Sequence, residues 1–236
     1  MSLFAWLRPS QPELAEAQRQ RLEGLAAAPT WSDLSLRQQR WVVLDLETSG
    51  LNLNRDQVLS IGAVVIEDGA IDFSQQFERT LHRHDHKLAP STLIHGIAPS
   101  AIAAGCDPAE ALLDLMDFIG NSPVLAFHAP FDQRMLGRAL KDSLGYKLQH
   151  PFMDVAELAP LLNPDVILRD AGLDDWVNHF GLLVEERHNA SADAQVTAEL
   201  ALILFRQAQR QQLDSPKQLE QRLQGWRRKR QQSHGL

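Results

Sequence analysis

The chain has a single cysteine, Cys106, among 236 residues. An intrachain disulfide is therefore impossible, and a zinc site built on several thiolates is excluded. No apolar run approaches the ~20 residues that cross a bilayer. The opening Met1-Ser2-Leu3-Phe4-Ala5-Trp6-Leu7 lacks a basic n-region, and its apolar stretch is too short for a signal peptide. These absences point to a cytoplasmic protein with no membrane partner. A wide basic surface is also missing, because the net charge is -7, which argues against a protein that coats nucleic acid. The charge is uneven, however. From Lys217 onward six basic residues (Lys217, Arg222, Arg227, Arg228, Lys229, Arg230) face Glu220 alone, so the tail carries about +5 and the remainder about -12. Such a tail serves either as an accessory phosphate contact for an acidic site or as plain solvated chain.

What is present suits one globular domain with terminal extensions, since a hydrophobic content of 44% supplies an ordinary core for this length. Pro12 to Ala28 carries a helical stripe (Leu14, Ala17, Leu22, Leu25) with Pro29 behind it. Trp41 to Glu47 is β-branched and apolar, and Thr48-Ser49-Gly50 stops it. Val58 to Glu67 reads as a second strand, joined by the Asp68-Gly69 hairpin turn to a third, Ala70 to Thr80. Helices are expected over Pro108 to Ile119, Phe131 to Ser143, Leu173 to Phe180 and Ala192 to Gln209, with short strands at Pro123 to Phe127 and Met153 to Val155. A meander followed by strand–helix alternation implies an α/β domain on a mixed sheet. The expected division is an N-terminal helical extension (1–38), a central domain (39–210) and a basic Gln/Arg-rich tail (211–236).

Four carboxylates and one histidine stand out. Asp45 and Glu47, two apart on a strand, point to the same face. Two acids ending an apolar strand are costly unless compensated, and a hard divalent cation compensates them as well as solvent does. Asp132 follows the strand at Val124 to Phe127 near a helix opened by Pro130, and Asp193 lies in the first turn of a helix beginning near Ser191. Each of these alone reads more readily as an acid complementing a helix dipole. His188 precedes Asp193 by five residues, which places it in the preceding loop rather than on the same helix face.

In motif form the same residues resemble a known family. Asp45-Leu46-Glu47-Thr48-Ser49-Gly50-Leu51, Ile94-His95-Gly96-Ile97, Leu125-Ala126-Phe127-His128-Ala129-Pro130-Phe131-Asp132 and His188-Asn189-Ala190-Ser191-Ala192-Asp193-Ala194 occur in the order found in the DEDD 3′→5′ exonucleases. The match is to their His-containing branch, which holds the proofreading epsilon subunit of bacterial DNA polymerase III and RNase T. It covers roughly residues 40 to 207. One departure stands in the second motif, usually His-Asn-Ala-x-Phe-Asp: Phe127-His128 replaces His-Asn. His128 is expected to take over the hydrogen bonding of that Asn.

The resemblance implies a ribonuclease H-like fold, with a five-stranded mixed sheet flanked by helices. It also implies a metal-dependent 3′→5′ exonuclease that releases nucleoside monophosphates from DNA 3′ ends, single-stranded or frayed. Two Mg²⁺ or Mn²⁺ ions would be held by Asp45, Glu47, Asp132 and Asp193, with His188 as general base; an unperturbed imidazole pKa of roughly 6.5 suits that task. Thr48, Leu51, His95 and Phe131 match positions that line the pocket for the terminal nucleotide. A polymerase or a sliding clamp is the implied protein partner, and Met1-Ser2-Leu3-Phe4 resembles the end of a clamp-binding peptide without its leading Gln. An exoribonuclease and a catalytically silent binding module of the same fold remain as alternatives. His82-Arg83-His84-Asp85-His86 resembles a zinc run one residue short, and it reads as a solvated loop. Asp154 reads as structural, and Asp174 and Asp175 as exposed helix-start residues. The sequence carries no signal for an oligomeric state.

Overall fold

The computed structural model describes residues 12–83, 96–168, 171–184 and 189–233. Five strands form one sheet: β1 (Trp41–Thr48), β2 (Val58–Glu67), β3 (Ala70–Thr80), β4 (Val124–Ala126) and β5 (Phe152–Asp154), in the order β3-β2-β1-β4-β5. β1, β2 and β3 are antiparallel neighbours, while β4 and β5 run parallel to β1. The meander follows from local chemistry. Asp68 and Gly69 both adopt positive φ (51° and 76°), the twist a two-residue hairpin requires. The parallel strands need helical crossovers, and these supply the flanking layers.

Among the described residues the helices are α1 (Glu16–Glu23), α2 (Pro99–Ala103), α3 (Pro108–Ile119), α4 (Ala129–Leu144), α5 (Val155–Leu162), α6 (Leu173–Phe180), α7 (Ala190–Arg210) and α8 (Pro216–Ser233). The two faces of the sheet carry separate cores. Trp41 and Val43 of β1 pack with α5, α6 and α7 on one face, and Val42, Leu44 and Leu46 pack with α3 and α4 on the other. Period-two alternation along one buried strand feeds both layers, which is why β1 reads as a continuous apolar run. No helix among the described residues is long and apolar enough to cross a membrane.

The sheet and most helices follow the sequence pattern; α2 was not expected, and three further differences stand out. The first helix spans only Glu16–Glu23, since Ala15 is extended and Gly24 caps the end. The helix after β5 was not expected from periodicity, because Pro160 interrupts the pattern near its last turn. The tail forms α8, in which Leu219 and Leu223 are fully buried, so hydrophobic anchoring overrides its polar composition.

The N-terminal extension is tied down electrostatically. None of the residues of α1 is buried, though Leu14, Leu22 and Leu25 lean on the second core. Arg21 reaches Glu110 (3.1 Å), Asp114 (2.8 Å) and Asp117 (2.6 Å), an acidic stripe on α3, and Asp117 followed by Asp114 raises its pKa further. The Arg21 side chain is 34% exposed, so solvent screening limits the network to roughly 1 kcal/mol or less. Arg21→Ala is therefore expected to lower Tm by no more than about 3 °C. It should nevertheless speed limited proteolysis between Gly24 and Arg40 severalfold. An unchanged digestion pattern would mean that the leucines alone hold the extension.

Candidate active site

The apolar columns of β1 and α7 both turn to carboxylate at the same end of the sheet. Asp45 and Glu47 continue the alternation of Trp41 and Val43, so they stand on the face that α7 covers, both half-buried. On α7 the sheet-facing stripe of Leu204, Leu200 and Val196 extends back by one helical turn to Asp193, which is buried. Carboxylate oxygens of Asp45, Glu47 and Asp193 consequently lie within 4.8 Å of one another.

Gly62 permits this convergence. It lies on β2, opposite Asp45 of β1 and Glu78 of β3. A Cβ there would lie 2.1 Å from the carbonyl carbon of Ala190 and 2.2 Å from the nitrogen of Ser191, so only glycine lets the first turn of α7 reach the sheet. The helix start is then pinned from both sides. Ser191 Oγ donates to Glu78 Oε2 (2.9 Å), and the Asn189 side chain caps α7 by accepting from Ser191 N (3.0 Å) and Ala192 N (3.3 Å). Sequence reasoning missed Gly62, Glu78 and Ser191. The available signal was an isolated glycine in a β-branched strand, which marks close backbone approach.

Asp132 enters from the other layer, in the first turn of α4, and is buried. Burial and then the charge of Asp45 push its carboxyl well above the usual carboxylate range; Asp154 adds to this, while the Leu46 and Asp132 backbone works the other way. Asp154 is the local organiser. Its Oδ1 accepts from His128 N (3.0 Å) and Ala156 N (3.0 Å), joining the end of β4 to the start of α5, and burial followed by the nearby Glu157 raises its pKa. The Phe127-His128 departure has a physical account. His128 lies in the left-handed region (φ 62°, ψ 42°), which Asn and His tolerate better than most residues. The expectation that the His128 side chain replaces the hydrogen bonding of Asn is corrected: the ring is exposed and makes no capping bond, and it is the Asp154 carboxylate that supports the turn. Phe127 joins the first core.

Around the carboxylates, Leu51 is 84% exposed on the loop after β1. Thr48 is buried and its hydroxyl donates to the Gly50 carbonyl (2.8 Å), so it braces the turn that presents Leu51. Asp56 holds the same loop by accepting from Ser49 Oγ (3.1 Å) and Asn52 N (2.7 Å). Phe131 is partly buried against the second core. His188 and His95 lie outside the described residues, as do His84, Asp85 and His86 of the zinc-like run and Met1 to Phe4. The first residue of that run, His82, bonds the Ala103 carbonyl through Nδ1 (2.7 Å). Asp174 and Asp175 are exposed in the first turn of α6.

The donor set fits a divalent cation. Three convergent carboxylates offer hard oxygens at the spacing one ion bridges, and beside them burial and Asp45 raise the pKa of a fourth acid, Asp132. A carboxyl with a raised folded pKa adds stability fully below its unfolded value (~3.9), and that contribution is lost as pH rises through the folded value. In EDTA the protein should therefore lose stability from acid toward neutral pH. Asp132→Asn should flatten that slope and raise Tm at neutral pH. A thermal melt series in pH reads both effects. Gly62→Ala should cost about 1–3 kcal/mol through overpacking. By moving the α7 start it should also weaken Mn²⁺ binding at least tenfold by calorimetry; unaltered affinity would mean that Asp193 is positioned by other contacts.

Comparison with known proteins agrees with this geometry. The model of a family described as exonuclease, the RNase T family, matches residues 42–201. The DNA polymerase III PolC-type protein of Clostridium perfringens is 33% identical over 167 residues, covering 70% of this chain and 11% of that one. The PolC-type protein of Bacillus subtilis is 27% identical over 187 residues, covering 79% and 13%. The chain thus spans only about an eighth of the length of these curated relatives. Among solved structures, E. coli Exonuclease I in complex with a dT13 oligonucleotide aligns with a TM-score of 0.60 at 19% identity, covering 73% of this chain and 42% of that one. The apo form of Exonuclease I aligns with a TM-score of 0.59 at 17% identity, covering 78% and 44%. At such identities the likeness shows the fold, and the sheet and its helices are of the ribonuclease H-like type expected. With the family match extending from the second residue of β1 into α7, the chain belongs to the exonuclease family, within the DEDD 3′→5′ exonuclease superfamily.

Proposed function

We propose that the chain is a metal-dependent 3′→5′ exonuclease that releases nucleoside monophosphates from DNA 3′ ends, with residues 39–210 carrying the reaction. The observation that supports this most is the convergence of Asp45, Glu47 and Asp193 from a strand and a helix, with Asp132 beside them. Acids brought this close and partly out of water repel one another, so cations between them would stabilise the arrangement. Mg²⁺ or Mn²⁺ suits oxygen donors, and two such ions would neutralise charge on the reacting phosphate and on the leaving 3′-oxygen.

The chain's own residues supply the rest. Asp45, Glu47 and Asp193 hold and orient the cations, while Asp132 acts beside Asp45. His188 is the proposed general base, the feature of the His-containing branch. It directly precedes Asn189, the cap of α7, and so belongs to the segment that delivers Asp193. Leu51, exposed on a braced loop, offers apolar surface for the terminal base. Phe131 and His95 complete the proposed nucleotide pocket. Stacking on apolar surface is tolerant of sequence, which suits single-stranded or frayed ends.

A DNA substrate is favoured by the PolC-type relatives and by the Exonuclease I complex, whose bound ligand is a dT13 oligonucleotide. A DNA polymerase is proposed as a partner on the same ground, since the matched segment lies within much longer PolC-type chains. Purified protein with 5′-labelled single-stranded DNA, duplex DNA and RNA should shorten the first from its 3′ end in Mg²⁺ or Mn²⁺ and stop in EDTA. Asp45→Ala and His188→Ala should each lower the rate by about 10²–10⁴ with unchanged circular dichroism. Full activity in Asp45→Ala would sink the assignment, and faster shortening of RNA would move the substrate to the exoribonuclease alternative.

A further inference from the structure

The tail that is basic in sequence becomes a helix with a definite course. At its start, Lys217 N donates to the Ser32 carbonyl (3.2 Å), and Leu36 N donates to the Asp214 carbonyl (2.7 Å). These contacts set the beginning of α8 beside the segment that leads into β1, at the end of the sheet away from the carboxylates. From there α8 runs back. Leu219, Leu223 and Trp226 form an i, i+4, i+7 seam against the first core. At Arg227 the guanidinium donates through Nε to Glu157 Oε2 (2.8 Å). Glu157 is in the first turn of α5, three residues after Asp154, which holds the β4–α4 turn beside Asp132. By Arg227 the helix has therefore returned to the carboxylate end, and the residues on to Ser233 carry it about 9 Å further.

The cations along this return path are not equivalent. Arg227 is paired with Glu157 and lies 3.8 Å from Glu220, and Arg230 lies over the Trp226 ring, 4.6 Å from its centroid. Arg222, Arg228 and Lys229 are exposed and have no acidic partner among the described residues. Their exposed neighbours on the helix are glutamines (Gln218, Gln221, Gln224, Gln231, Gln232) rather than the acids that would normally pair a solvated helix. The helix dipole favours cations in the last turn, but it does not account for Arg222. Against a body of about -12, these are exposed positive charges on a helix that ends at the carboxylate end of the sheet.

We propose that α8 is a cationic arm that grips the phosphodiester backbone of the strand whose 3′ end occupies the carboxylate site, through Arg222, Arg228 and Lys229. This rests on the exonuclease reading of that site. The contact is with phosphates, so it takes deoxyribo- and ribo-strands alike, and it lowers KM for long strands without touching the chemistry.

The test is the triple variant Arg222→Gln, Arg228→Gln, Lys229→Gln, which keeps helix propensity and disturbs no ion pair. Binding of labelled oligo-dT and oligo-rU of about twenty nucleotides is followed by fluorescence anisotropy in EDTA over a salt series. Losing three phosphate contacts should reduce the slope of log K against log salt by about 2 on both strands. With Mg²⁺, KM for the long strand should rise about tenfold. Hydrolysis of the p-nitrophenyl ester of thymidine 5′-monophosphate, too short to reach α8, should stay unchanged. Arg222→Lys with Arg228→Lys should bind like the parent. An unchanged salt slope, or a parallel loss on the ester, would overturn the arm. If the parent protein cleaves neither substrate, the exonuclease reading fails, while the salt slope in EDTA still decides the arm by itself.

Discussion

The contact between Gly62 and the first turn of α7 is the constraint on which the candidate site depends. Removing a single Cβ lets a helix start rest directly on sheet backbone. The row Asp45, Gly62, Glu78 across three strands then does three different things. Asp45 contributes a carboxylate, Gly62 gives way to the helix, and Glu78 fastens the helix through Ser191. Rigid elements rather than loops therefore set the spacing of Asp45, Glu47 and Asp193, which favours a fixed coordination geometry.

Charge is the counterweight. The core supplies the stability that permits four acids to be gathered where solvent is restricted. Asp132 shows the local cost most clearly, since burial and its neighbour Asp45 raise its pKa. Such a site is destabilised by itself and stabilised by what it binds, the usual relation between a functional cluster and the fold that carries it. The arrangement also explains an acidic body with a basic helix. In the proposed function the acids would serve cations, and the later part of the basic helix reaches the same end of the sheet.

The second motif shows how a family pattern can vary while its geometry holds. Position 128 demands left-handed backbone, and His meets that demand almost as well as Asn. The turn is supported from Asp154, on a neighbouring strand, so the side chain at 128 is released to solvent. Position 127, facing inward, became an ordinary core residue.

Much of the architecture was legible in the chain. β2, β3, α3 and α6 fall where alternation, the Asp68-Gly69 turn and helical spacing put them, because in these segments local propensity and burial agree. The family motifs also pointed to Asp45, Glu47 and Asp193 as members of one cluster. Other features came only with the tertiary structure. Gly62 is one glycine in a strand until a helix is seen resting on it, and the raised Asp132 pKa needs both its burial and Asp45 nearby. α8 looked like a charged tail because its polar composition outweighs three apolar residues, yet those three at i, i+4 and i+7 suffice once a core is there to receive them. Sequence alone determined which residues carry charge and which faces are apolar, since side-chain chemistry and chain periodicity are local. Only the fold decided which charges meet, because that depends on backbones approaching across the sheet from segments far apart in the chain.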